Sequence, residues 1–262
     1  MMSNETMKPI YPLDTRKSAI VVGGSSGIGA ALVKVLVREG YNVAVLARRE
    51  AELAELCSSV NSNSPSGMLA SYYIHDVTNY VEVPGLFQHI AADLGGLDLI
   101  VYAAGNQPAM AVDEYDFAKD EGMVQVNLLG AMAWLGQAAA RFERFHAGHI
   151  VGISSLAADR GRTPNPGYNS SKAGFETYVE GLRNRLSRHG VNVTTVKPGL
   201  VDTRLLENSA KTFWVISADK AAELIFKSVR KKKQTTYIPG RWRMVGLAVG
   251  HMPSVLFRRL NF

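Results

Sequence analysis

Tyr168 and Lys172 stand four residues apart in the stretch Tyr168-Asn169-Ser170-Ser171-Lys172. On a helix that spacing puts both side chains on one face, so their head groups converge on one ligand. A phenol titrates near pH ~10 in water and alone is a poor proton donor or acceptor at neutral pH. A lysine cation within a few ångströms favours the phenolate, by roughly 1–3 pKa units. The pair is therefore a candidate general acid/base. The same spacing also arises as an ordinary surface pair, so the weight comes from the other residues.

A second site precedes it. Ser18–Val22 is a short apolar run, read as a buried strand. It runs into Gly23-Gly24-Ser25-Ser26-Gly27-Ile28-Gly29 and then an Ala/Leu/Val-rich helix to Glu39. Glycines let the backbone approach a ligand, and the free N–H groups and dipole of a helix start favour an anion. The spacing is G-x-x-x-G-x-G. A tight structural turn is the plain alternative. The next strand, Asn42–Ala47, ends in Arg48-Arg49, with Glu50 only in the following helix. In dinucleotide folds an acid at this strand end binds ribose hydroxyls, whereas an arginine accommodates a 2′-phosphate. The prediction is NADP(H), with Arg48 as the main phosphate contact and Arg49 as a second. Two solvated arginines are the alternative.

The elements that must position these groups alternate along the chain. Further strands are read at Leu69–His75, Leu97–Ala103, His149–Ser154, Val191–Val196 and Gln234–Ile238. Helices are read between them, including one long helix over Asp120–His146 and one from Gly167 to His189. Leu205–Val215 is read as a mixed segment that forms a lid, and Ser217 as an N-cap. Alternation of this kind predicts one doubly wound parallel sheet with helices on both faces, an α/β three-layer sandwich of Rossmann type. Ligands then bind at the carboxyl ends of the strands. Gly23–Gly29, Arg48, Asp76 with Val77, Ala104 with Gly105, Ser155, and Pro198-Gly199 with Val201 and Thr203 all fall at such ends. Asp76 has two readings: a contact to an adenine amino group, or a cap on the next helix. Asn127, an unusual polar residue within a helix, is read as part of a relay.

Composition bounds the class. The chain has 262 residues, 47% hydrophobic, and a formal charge of +6. That charge is uneven. Ile225–Phe262 carries nine Lys/Arg and no Asp/Glu, leaving 20 basic and 23 acidic residues elsewhere, a net of −3. The sequence pI near 9.4 is therefore no argument for a nucleic-acid-binding body. Cys57 is the only cysteine, which excludes an internal disulfide and a thiolate cluster and fits a reducing, cytoplasmic setting. The first 17 residues lack the apolar core of a signal peptide. The divisions expected are an arm (1–17), one Rossmann-type domain (18–240) and a basic, apolar C-terminal extension (241–262).

Taken together, Gly23-x-x-x-Gly27-Ile28-Gly29, Asp76, Asn127, Ser155, Tyr168-x-x-x-Lys172 and Pro198-Gly199 with Thr203 resemble the short-chain dehydrogenases/reductases. The resemblance spans about Ser18 to Ile238. It implies hydride transfer between a nicotinamide and a ketone or secondary alcohol. It also implies the roles. Tyr168 protonates the carbonyl oxygen, and Lys172 lowers its pKa and holds the nicotinamide ribose. Ser155 binds the same oxygen, and Asn127 holds a water that relays protons to Lys172. Pro198–Leu200 and Thr203 border the nicotinamide, and no metal is needed. Homodimers or homotetramers through the helices bearing Asn127 and Tyr168 are implied as well. Two positions depart from the family. Tyr102-Ala103-Ala104-Gly105 stands where Asn-Asn-Ala-Gly is common, and Val22 where Thr is frequent. Adjusted packing is the expectation at both.

Substrate choice is expected in Asn106–Met110, Leu156–Arg162 and Leu200–Val215, which mix apolar residues with Arg160, Arg162 and Arg204. An apolar or amphipathic ketone fits, with an anionic group near the arginines as a further option. The tail from Arg241 has apolar residues flanked by cations, which suggests a segment lying on an anionic membrane; a helix packed over the pocket or a neighbouring subunit is the alternative. The Arg-containing loop before Tyr168 and the Arg258-Arg259 ending are loosely similar to the decaprenylphosphoryl-2-keto-ribose reductase branch, which implies a lipid-linked ketone. Against this stand a soluble 3-oxoacyl, steroid or sugar ketone, and a non-catalytic NADP(H)-binding regulator. No nucleic-acid-reading motif accompanies the basic tail.

Overall fold

Seven parallel strands lie in one sheet: β1 (Lys17–Val22), β2 (Tyr41–Ala47), β3 (Ala70–Ile74), β4 (Leu99–Tyr102), β5 (His149–Ile153), β6 (Asn192–Pro198) and, after a separate two-stranded pair β7 (Val201–Asp202) and β8 (Ile216–Ser217), β9 (Thr235–Ile238). Their order is β3-β2-β1-β4-β5-β6-β9. The computed structural model describes residues 17–64, 67–206 and 213–259. All of the expected N-terminal arm but Lys17 lies outside these, as do 207–212 of the segment read as a lid. β1 pairs with β2 on one side and β4 on the other, so the winding reverses at β1. That reversal opens a crevice at the carboxyl ends of the strands, the place where such sheets bind ligands.

The inner strands β1, β2, β4 and β5 are largely apolar on both faces, whereas the edge strand β3 exposes Ser71, Tyr72 and Ile74. Alternate residues of each strand serve opposite layers. Val21, Val43, Val45, Val101 and Val151 pack with α1 (Gly27–Arg38), α2 (Glu50–Ser62) and α7 (Ala218–Arg230). Ile20, Leu46, Ile100, Tyr102 and Ile150 pack with α3 (Val83–Asp93), α5 (Gly130–Phe145) and α6 (Pro166–Leu186). The doubly wound architecture is the one expected from the sequence. Ser217 caps α7 by accepting from the Lys220 N–H at 3.2 Å.

The single helix expected over Asp120–His146 is corrected. It is split into α4 (Phe117–Val124), a wider π turn over Gln125–Leu129, and α5. Such turns loosen the backbone ladder and are frequent at functional sites. Here tyrosine hydroxyls reach the backbone carbonyls of the turn. Tyr102 donates to the Val126 carbonyl at 2.6 Å and Tyr80 to that of Gln125 at 3.2 Å. Tyr102 is the departure noted at the end of β4. It fits because Gly130 has no side chain: a Cβ there would stand 2.6 Å from its hydroxyl.

The basic tail forms two short helices, α8 (Trp242–His251) and α9 (Ser254–Phe257). Trp242, Gly246 and Phe257 are buried against the domain. Of the tail, 260–262 lie outside the described residues.

Candidate active site

Asn165 starts α6. Its side chain accepts the Tyr168 N–H at 3.0 Å, and Pro166 follows at the first helical turn, a favourable N-terminal arrangement. The helix then carries Tyr168 and Lys172 inward, 8% and 4% exposed. Lys172 Nζ donates to the Ile153 carbonyl at the end of β5 at 3.0 Å and lies 6.0 Å from the Tyr168 ring centre. Burial lowers the lysine to about 8. Burial raises the Tyr168 phenol; a hydrogen bond with Ser155 and the nearby Arg162 cation pull it the other way. Lys172 thus stands beside the phenol with its head group on the Ile153 carbonyl, and the Arg162 cation is a second charge that favours the phenolate. Ser155 also accepts the Ala157 N–H at 3.1 Å, which fixes the turn leading out of β5.

Asn127 sits in the π turn with no exposed surface. Its Oδ1 accepts the Asn106 N–H at 2.7 Å, and its Nδ2 donates to the Asn106 carbonyl and to Ser171 Oγ, each at 2.9 Å. It therefore ties the strand end after β4 to the catalytic face of α6. An amide oxygen has two lone pairs, so one remains for a water. A Cβ on Gly105 would lie 3.6 Å from Asn127 Oδ1 and 3.7 Å from Lys172 Nζ. These three residues converge.

The glycine turn is crowded by backbone. Gly23 and Gly27 have φ of 89° and 56°, which favours glycine. A Cβ on Gly23 would meet Ala104, one on Gly24 would meet Val45, and one on Gly29 would meet the Gly23 carbonyl. Ser25 and Ser26 receive hydrogen bonds from Arg49 Nη2 at 2.7 and 2.9 Å. Ile28 packs against the core behind them. Arg48 points away: it is 72% exposed and lies 3.5 Å from Asp76. Arg49, expected second, is thus the arginine that the fold brings to the turn. Burial tends to raise Asp76, but bonds from the Thr78 N–H and hydroxyl, with Arg48 near, hold it below the usual carboxylate range. It caps the turn at the end of β3 and holds Arg48. Val77 next to it packs on Gly130.

The far wall comes from the end of β6. Pro198 ends β6 beside Ile238, the chain turns at Gly199, Val201 is buried, and the Thr203 methyl lies against Gly27. Trp242 of α8 covers Gly199 and joins Phe213 and Trp214 in an aromatic group with ring centres 5.3–5.7 Å apart. A helix packed over the pocket was the alternative for this tail; nothing in the order of residues singles out Trp242 and Gly199 as the contact. The loop from Ser155 to Tyr168 is tied down by Lys197 at the end of β6. Lys197 pairs with Asp159 and, at 2.8 Å, with Glu176.

Comparison with known proteins agrees with this geometry. The sequence profile of the short chain dehydrogenase family matches residues 17–213. An uncharacterised oxidoreductase of Staphylococcus saprophyticus is 33% identical over 198 residues, 76% of this chain and 82% of that protein. A short-chain dehydrogenase from Sphingobium yanoikuyae, solved in complex with NADPH, superposes with a TM-score of 0.78 at 20% identity, covering 91% of this chain and 97% of that one. ElxO with NADP bound gives 0.76 at 20% identity, over 86% and 97%. The chain belongs to the short-chain dehydrogenase/reductase family of oxidoreductases.

Proposed function

We propose that this chain is an NADP(H)-dependent reductase or dehydrogenase acting on a ketone or secondary alcohol, with an apolar or lipid-linked substrate. The observation that carries it is the convergence of Ser155, Tyr168 and Lys172 beside Gly105, at the same sheet edge as the glycine turn. The residues fit a dinucleotide. Side chains on Gly23, Gly24 or Gly29 would fill the cradle, and Arg49 with Ser25 and Ser26 forms a cationic, hydroxyl-rich corner suited to a 2′-phosphate. The S. yanoikuyae relative and ElxO were solved with NADPH and NADP, which supports the phosphorylated cofactor. The cofactor supplies the hydride.

The protein supplies placement and protons. The glycine turn, Val77, Ala104, Gly105, Pro198, Gly199, Val201 and Thr203 line the track along the strand ends. Lys172 presents an ammonium to ribose hydroxyls. Ser155 and Tyr168 hydroxyls hold the substrate oxygen, favouring the alkoxide that develops there. Tyr168 gives up its proton to that oxygen, and a water on the free Asn127 Oδ1 lone pair passes protons on through Lys172. Tyr168→Phe should remove nearly all turnover while leaving NADPH affinity within about threefold; substantial residual turnover would refute the role. Phe213, Trp214 and Trp242 supply the apolar wall for the substrate.

The tail favours a second element of this reading. Met244, Leu247, Val255 and Leu256 are exposed beside the exposed Arg241, Arg243, Arg258 and Arg259. That surface suits an anionic bilayer. No described helix is long and apolar enough to cross a membrane, so the contact is peripheral. Deleting residues from Arg241 should abolish co-sedimentation with anionic liposomes at low salt; a full-length protein that never sediments would end the idea. Phe117, Leu129 and Phe145 are exposed on α4, the π turn and α5, which supports self-association through these helices.

A further inference from the structure

The loop between Ser155 and Tyr168 carries two arginines with different circumstances. Arg160 is fully employed: Nη1 donates to the Val249 and Met252 carbonyls, Nη2 donates to Ser254 Oγ at 3.2 Å, and the guanidinium covers the Phe257 ring at 4.2 Å. Arg162 is not. Its Nε is shut off from solvent without a hydrogen-bond partner. Among the described residues its side chain makes one hydrogen bond, a long one from Nη2 to Asn169 Oδ1 at 3.5 Å. It has no ion pair among the described residues. The nearest acid along the loop, Asp159, is spent on Lys197 and on the Tyr237 hydroxyl.

The guanidinium is nevertheless held in place. Asn169, 3% exposed, donates from Nδ2 to the Arg162 carbonyl at 3.2 Å and to the Pro164 carbonyl at 3.3 Å. Asn169 directly follows Tyr168, so the arginine is fixed to the same turn of α6 as the phenol. Burial lowers the Arg162 guanidinium, and the charges of Tyr168 and Asp159 act the other way. A half-buried cation with no ion pair among the described residues, and only the charge of Asp159 acting from a distance, has a desolvation cost that a well-placed anion offsets. A guanidinium fork suits carboxylate and phosphate oxygens. The phosphates of a dinucleotide belong at the glycine turn, on the other side of the β1/β4 crevice, so they do not supply that anion.

We propose that Arg162 is the receptor for an anionic group on the substrate, a carboxylate or phosphate carried on the same molecule as the ketone. The proposal rests on the ketone-reductase reading and narrows its substrate class. Arg162 and Asn169 thereby set the register of the substrate, with its carbonyl toward Ser155 and Tyr168 and its apolar part toward Phe213, Trp214 and Trp242.

Matched probe pairs test it without turnover. Benzoylformate and 3-benzoylpropionate against their methyl esters, and dihydroxyacetone phosphate against dihydroxyacetone, are titrated into the full-length protein holding NADP⁺ by calorimetry. At least one anion should bind tenfold or more tightly than its neutral partner, and the responding pair tells carboxylate from phosphate. Arg162→Gln should erase the preference and Arg162→Lys should keep part of it, with NADP⁺ affinity within about twofold in both. Equal binding of acid and ester in every pair, or a preference that survives Arg162→Gln, overturns the proposal. Preferential binding with no NADPH oxidation by any of these ketones leaves the anion site standing and refutes the reductase reading instead.

Discussion

Trp242 occupies the space that a side chain on Gly199 would need. An added Cβ would run into the indole Nε1, Cε2 and Cδ1. Trp242 belongs to the C-terminal extension, and Gly199 to the turn that borders the proposed nicotinamide position. The start of the tail therefore packs directly on that turn.

Gly199→Ala follows from this contact. Gly199 is not among the glycines with positive φ, so alanine is allowed by the backbone and the cost is steric. Overpacking of a filled site costs about 1–3 kcal/mol. The variant should melt at lower temperature and bind NADPH less tightly. Adding Trp242→Ala should make the Gly199 substitution nearly neutral in a double-mutant cycle. Additive losses would show that the two residues are not coupled.

How much of this was legible in the sequence depended on whether the signal was local. The strands were, because burial on both faces demands unbroken runs such as Ala19–Val22, all fully buried. The glycine turn and the Tyr168–Lys172 pair were, because fixed spacing on regular elements places them. The π turn was not: its residues read as ordinary helix, and tyrosines from elsewhere in the chain engage its carbonyls. Nor was the turning of Arg49, rather than Arg48, toward Ser25 and Ser26. Adjacent residues at a strand end point in different directions, and which one turns back to Ser25 and Ser26 is settled by the fold.

That placement sets a second prediction. Arg49→Ala removes the guanidinium bonded to both serines and should raise the KM for NADPH tenfold or more, with little change for NADH. Arg48→Ala, which loses a largely exposed contact to Asp76, should raise it less than threefold, since exposed pairs contribute little. Steady-state kinetics with both cofactors checks this. The reverse ranking would assign the phosphate contact to Arg48.

Lys172 gives a pH signature. Burial lowers it to about 8 in the folded chain, against about 10.4 unfolded. Between these values the unfolded chain holds a proton that the folded chain has released, so folding stability rises with pH. Cofactor-free protein should therefore gain stability between about pH 8 and 10, measured by urea titration. Lys172→Met should lose that rise and be relatively more stable below pH 8, where the wild type buries a charged ammonium. A Lys172→Met variant with an unchanged pH slope would assign the rise to another group.

Arg160 holds the tail to the loop between Ser155 and Tyr168. It gathers the carbonyl ends of α8, the Ser254 hydroxyl and the Phe257 ring around one guanidinium. A Cβ on the neighbouring Gly246 would stand 2.7 Å from Asp159 Oδ2 and 2.8 Å from Tyr237, so the helix packs directly on the ion-paired cluster beneath the loop. Losing several charge-assisted hydrogen bonds at once is expected to cost about 2–4 kcal/mol locally. Arg160→Ala should release α8 and α9 before the domain unfolds. Trypsin would then cut at Arg241 or Arg243 much faster than in the wild type while the body stays resistant. Because the same loop carries the polypeptide from Ser155 to Tyr168, turnover should fall several-fold, with the NADPH KM changing less than kcat. Protection of Arg241 and Arg243 equal to that of the wild type would mean that Trp242 and Gly246 suffice to hold the tail without the arginine.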